Sequence, residues 1–160
     1  MIIVISSPPP IDTTELAEKL ASQNDLKIIE DPAPSICRDY GFQTIYDMPH
    51  KLQTEIREKL IKDHAEFVKS NDNILLNYSV FGYLADWMRW AWATTPTEKW
   101  EEILSVASET VNHYDRIYHV EEGKSLEYDG YVWFDQRNSK QINNLIKHLY
   151  TEMNVIEKLQ

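Results

Sequence analysis

The chain is short of cysteine, of cations and of long apolar runs, and each shortage closes off a class of function. One cysteine, Cys37, among 160 residues leaves nothing for an intramolecular disulfide and no spacing for a cysteine metal site, a pattern suited to a reducing cytosol. Lys and Arg total 16 against 26 Asp and Glu, for a formal charge of -10 and a pI near 4.9. Such a surface repels a phosphate backbone, so nucleic acid is not expected as a partner. No stretch is long enough to span a membrane. The opening apolar run lacks both the length and the basic lead-in of a signal-peptide core. The setting expected is cytoplasmic, without a membrane partner. No internal repeat or low-complexity linker divides the chain, and its length predicts one domain over 1–160.

What is present alternates between strand and helix signals. Ile2, Ile3, Val4 and Ile5 form a short β-branched run, as expected of a central parallel strand. Leu16, Ala17, Leu20 and Ala21 then recur at helical spacing, with Glu15, Glu18 and Lys19 opposite. Further strands are predicted at 26–29, 74–76, 116–120 and 155–156, and helices over 49–71, 79–93, 97–111 and 139–153. The helix over 79–93 is apolar on nearly all sides and must be buried on nearly all sides. His64 reads as a partly buried helical histidine. This order predicts a three-layer α/β domain with a mainly parallel five-stranded sheet flanked by helices.

Between the first strand and helix lies Ser7-Pro8-Pro9-Pro10-Ile11-Asp12-Thr13-Thr14-Glu15. Locally, Asp12 and Glu15 have the spacing of a capping box, with Asp12 placing its negative charge at the positive end of the helix. The same stretch resembles, without gaps, the phosphate-binding loop GPPGSGKTTLA of P-loop nucleoside and nucleotide kinases. Ser7 and Asp12 stand at the two motif glycines, Pro10 lies within the loop, and Thr13 stands at the lysine. Thr14 alone keeps the family's Mg²⁺-ligand hydroxyl, and it is the only metal ligand the resemblance offers. A phosphate cradle needs inward N–H groups and a cation, but prolines have no N–H. Asp12 would repel a phosphate by roughly 1 to 4 kcal/mol per charge pair at 4 Å, depending on the dielectric.

The resemblance continues along the chain. The segment from Ile28 to Pro34 is similar to the IIEEPAR segment of nicotinamide-riboside-kinase-like proteins. Glu30 and Asp31 match the acids that face the acceptor substrate, and Pro34 stands at the arginine. A strand end facing water is the equal alternative reading of the two acids. Asn77 and Tyr78 stand where those kinases have an aspartate and an arginine, and Val132 stands at the lid arginine. Lys124, Arg137 and Lys140 are cations near the lid; exposed Lys and Arg on a loop are ordinarily solvated surface.

These losses agree in direction, because phosphoryl transfer rests on positioning and positive charge. The resemblance therefore implies a catalytically inactive kinase-like protein that binds a protein partner or oligomerises, with no cofactor and no metal. Tyr83, Trp87 and Trp90 on the aromatic helix are the candidate interface, and core burial is the other reading of that stripe. The alternative is an ATP-dependent nucleoside or nucleotide kinase with a divergent loop, using ATP and Mg²⁺. A third reading is a remodelled pocket for a small non-phosphorylated ligand, with Glu30, Asp31, Asn77 and Tyr78 as its polar contacts.

Overall fold

A computed structural model of the chain describes residues 1–9, 11–123 and 136–160. Four strands, β1 (Ile2–Ser6), β2 (Lys27–Ile29), β3 (Ile74–Leu76) and β4 (Arg116–His119), form one sheet. Among the described residues six helices accompany them: α1 (Thr14–Asn24), α2 (Ala33–Asp39), α3 (His50–Ser70), α4 (Val80–Ala91), α5 (Thr97–Val111) and α6 (Gln136–Glu152). The sheet is parallel throughout, in the order β2-β3-β1-β4.

The two faces of the sheet are covered unequally. Side chains alternate along a strand, so Ile3, Ile5 and Leu75 turn to one face and meet Ala17, Leu20 and Ala21 of α1. Ile2, Val4, Ile74 and Leu76 turn to the other and share a larger core with residues of α3, α4, α5 and α6. The α4 helix lies within this thicker layer. Val80, Phe81, Leu84, Ala85, Trp87 and Ala91 are all completely buried, as an apolar helix requires.

The sheet has four strands among the described residues, not the expected five. Val155-Ile156 offers only two β-branched residues after a helix. Asn154 turns the chain through a left-handed conformation, φ +52°, and Ile156–Lys158 then winds into a 3-10 turn. Only Leu159 reaches the sheet, as a single parallel bridge to Ile117, with Gln160 N–H donating to Ile117 O at 3.0 Å. The α2 helix was not expected from sequence. Asp31 accepts the Ala33 N–H at 2.8 Å as the helix starts, and Gly41, at φ +79°, lets the chain leave it with Phe42 N–H bonded to Cys37 O.

Candidate functional site

The crossover from β1 passes over β3 to reach β2, whereas that from β3 passes over β1 to reach β4. The two connections leave the carboxyl edge of the sheet in opposite directions, and a crevice opens between them. Loop 7–13, Asn77 to Ser79 and the Glu30-Asp31 pair therefore meet at one edge.

The polar side chains at this edge bond to one another. Thr13, which stands at the lysine of the resembled loop, is 8% exposed and donates from Oγ1 to Asn77 Oδ1 at 2.6 Å. Asn77 in turn donates from Nδ2 to Glu30 Oε2 at 3.1 Å. One chain of hydrogen bonds thus joins the ends of β1, β3 and β2. Asp12 accepts a free N–H of the first turn of α1, as the capping reading expects. Thr13, not Asp12, is the residue before α1, and its side chain makes no capping bond. The Asp12 bond is to the Thr14 N–H, at 3.0 Å. The loop before it closes on itself through Ile11 N–H to Pro8 O at 3.3 Å. A Cβ built on Gly123 would sit 3.0 Å from Ile11 Cγ2, so the segment after β4 lies against this loop. Ser7 is half-buried and Thr14 exposed. Pro10, Lys124 and Val132 lie outside the described residues, and Arg137 and Lys140 are exposed at the start of α6.

Asp31 and Tyr78, both half-buried, lie beside this chain of bonds in contact with Tyr83. Asp31 Oδ1 accepts the Tyr83 hydroxyl at 2.5 Å. Burial pushes the Asp31 carboxyl above its ordinary range, its bonds to Tyr83 and Ala33 oppose this, and the Glu30 charge adds to the rise. Tyr78 packs edge-on to His64, ring centroids 5.0 Å apart, and against Tyr83 at 5.5 Å. Burial, then the Asp31 charge, pushes its phenol up to about 12.

Sequence reasoning missed the groups underneath. Ser79 caps α4 by accepting the Gly82 N–H at 3.2 Å, and its Oγ donates to Ser6 Oγ at 3.0 Å. A serine before an apolar helix is the signal that could have found it. Tyr114 OH accepts the Val80 N–H at 3.2 Å and lies 2.5 Å from His64 Nε2. Which of the two donates depends on the histidine tautomer, and His64 Nδ1 is buried without a hydrogen-bond partner among the described residues. His64 is fully buried rather than partly so, and burial lowers its pKa to about 3.

The expected aromatic interface separates into three environments. Trp87 is 0% exposed and stacks on Trp100 at 4.8 Å, so it belongs to the core and not to a surface. Tyr83, half-buried, turns its hydroxyl to Asp31, and Trp90, 38% exposed, is the most open of the three.

No family model and no curated protein matches the chain. Among solved structures it is similar to NadR protein in complex with NR, with a TM-score of 0.68 at 11% identity. That alignment covers 99% of this chain and 42% of the NadR chain, so the chain spans less than half of that protein's length. The likeness is one of fold.

Proposed function

We propose that the chain is a catalytically inactive protein of P-loop-kinase-like fold that acts by binding, to a partner protein or as an oligomer. The observation that carries this reading is the Thr13–Asn77–Glu30 chain of hydrogen bonds. A residue that should reach phosphate is tied to the residue that should serve Mg²⁺ or the attacking hydroxyl, and that residue is tied to an acid. Asn77 is neutral and cannot act as a general base. The prolines supply no N–H, and Asp12 presents a carboxylate where a phosphate would enter.

Thermal-shift measurements with ATP, GTP and dNTPs plus Mg²⁺, on the natural chain and on the double variant Asp12→Gly/Thr13→Lys, test the reading. A ligand at a hundred times its Kd stabilises by about 2.7 kcal/mol. The natural chain is expected to stay silent and the repaired variant to respond. A Mg²⁺-dependent shift in the natural chain, lost on Thr14→Ala, would favour the working kinase with a divergent loop instead.

A further inference from the structure

The carboxyl end of α4 carries a cluster that neither the crevice nor the core explains. Arg57 of α3 is 2% exposed, donating from Nε to Asp86 Oδ2 at 2.5 Å and from Nη1 to Gln53 Oε1 at 3.1 Å. The other carboxylate oxygen, Oδ1, accepts the Tyr46 hydroxyl at 2.9 Å. The two-pronged arginine–carboxylate pairing is therefore incomplete. Nη2, on the same edge of the guanidinium as Nε, has no hydrogen-bond partner among the described residues. From there, cations and rings alternate outward. Arg57 Cζ lies 5.4 Å from the Tyr46 ring centroid, Tyr46 is edge-on to Trp90 at 5.9 Å, and Arg89 Cζ lies 4.6 Å from the Trp90 ring.

The charge at this corner runs against that of the whole chain. Arg89 donates from Nε to the neutral amide of Gln141 at 2.8 Å. Arg137 precedes Gln141 by one helical turn on α6 and Lys140 adjoins it, both exposed. Among the described residues, none of these three cations forms an ion pair. Among the described residues, Asp86 is engaged by Arg57 and Tyr46, and Asp47 by the Thr44 N–H and hydroxyl. Trp, Tyr and Arg are the residues that dominate binding hot spots.

We propose that Trp90 and Arg89, supported from beneath by the buried Arg57–Tyr46 pair and with Arg137 and Lys140 beside them, dock a segment of a partner protein that carries carboxylates next to an apolar or aromatic side chain. The Trp90 ring receives the apolar side chain, and Arg89 with its two α6 neighbours receives the carboxylates. A second copy of the chain is the poorer occupant, since a two-fold pairing of this face would set Arg89, Arg137 and Lys140 against the same cations. This names the partner chemistry for the binding role proposed above and rests on that role, but not on the state of the crevice.

The test pans a random peptide library against the intact chain, with counter-selection on the double variant Arg89→Glu/Trp90→Ala. Synthetic copies of the selected peptides are then titrated by fluorescence anisotropy. Enrichment of Glu or Asp beside Phe, Trp or Leu is expected. Affinity should fall at least tenfold on Arg89→Glu and on Trp90→Ala, and less on Arg137→Glu, which lies on another helix and guards against a folding artefact. Absent enrichment, equal binding to the double variant, or equal binding of peptides with their acids changed to lysine would overturn the proposal. So would a dimer in sedimentation velocity that the double variant dissolves. A nucleotide shift in the natural chain sinks the inactive-fold reading and leaves the peptide result standing, whereas peptide failure with a silent crevice removes this surface alone.

Discussion

The two ends of α4 are built on opposite terms. At its amino end, Ser79 caps the helix and bonds Ser6, the Val80 N–H meets Tyr114, Tyr114 meets His64, and Tyr83 meets Asp31. At its carboxyl end the Arg57–Asp86 pairing is incomplete and Trp90 stands partly in water. Each end keeps one buried nitrogen without a hydrogen-bond partner among the described residues, His64 Nδ1 at the amino end and Arg57 Nη2 at the carboxyl end, so the difference lies in the Trp90 ring, which at the carboxyl end is exposed to a second body. One helix thus anchors a hydrogen-bonded cluster at one end and presents an exposed ring at the other.

The largest expected effect tests the carboxyl end. Arg57→Ala leaves the Asp86 carboxylate, whose side chain is 19% exposed, without its cation, and should destabilise by about 3 kcal/mol in urea unfolding. That is a sizeable part of a typical domain's total stability. The apolar double variant Arg57→Met/Asp86→Leu should recover most of the loss, because the cost arises from the stranded charge. A loss below about 1 kcal/mol for Arg57→Ala would place this pair with ordinary surface ion pairs and erase the contrast between the two ends.

How far the contrast was legible in the sequence depended on the range of the interactions that set it. The α3, α5 and β3 elements run over Pro49-to-Asn71, Thr97-to-Val111 and Ile74-to-Leu76 signals almost residue for residue, because local periodicity and breakers such as Asn71-Asp72-Asn73 define them. The α2 helix escaped because its prolines, Pro32 and Pro34, read as loop until Asp31 caps its first N–H. The stripe of Tyr83, Trp87 and Trp90 could not be divided from sequence. On a helix apolar all round, only the packing of Trp87 on Trp100 decides which side is core. At the carboxyl edge of the sheet the residue types of the loop could be read position by position, but the bond between Thr13 and Asn77 joins residues 64 positions apart, beyond any local spacing rule.

The amino end makes a pH prediction. His64 has a folded pKa of about 3 against about 6.5 for an unperturbed histidine, so the unfolded chain binds the proton first. Its contribution is fully present above 6.5 and is lost as pH falls toward the folded value, by about 1.4 kcal/mol per pH unit. Asp31 opposes this, since its raised pKa means that acid relieves a cost of burial. Comparison with His64→Gln cancels the Asp31 contribution. The stability difference between the natural chain and the variant, followed by urea unfolding from pH 7 to 4, should shrink with that slope below 6.5. A difference independent of pH would mean that the imidazole is hydrated, and the amino end would then be as open as the other.

The smallest effect lies where the crevice meets α1. Thr13→Ala removes the donor to Asn77, whose amide is half-buried and still bonds Glu30, and should cost about 1 kcal/mol. Its use is in a double-mutant cycle with Asn77→Ala, which isolates the pairwise energy from each residue's other contacts. A coupling of about 1 kcal/mol would mean that loop 7–13 is held against β3 by this bond. Zero coupling would mean that the turn from Pro8 to Ile11 and the contact with Gly123 position the loop unaided, so that restoring a lysine at Thr13 could not by itself reopen the crevice.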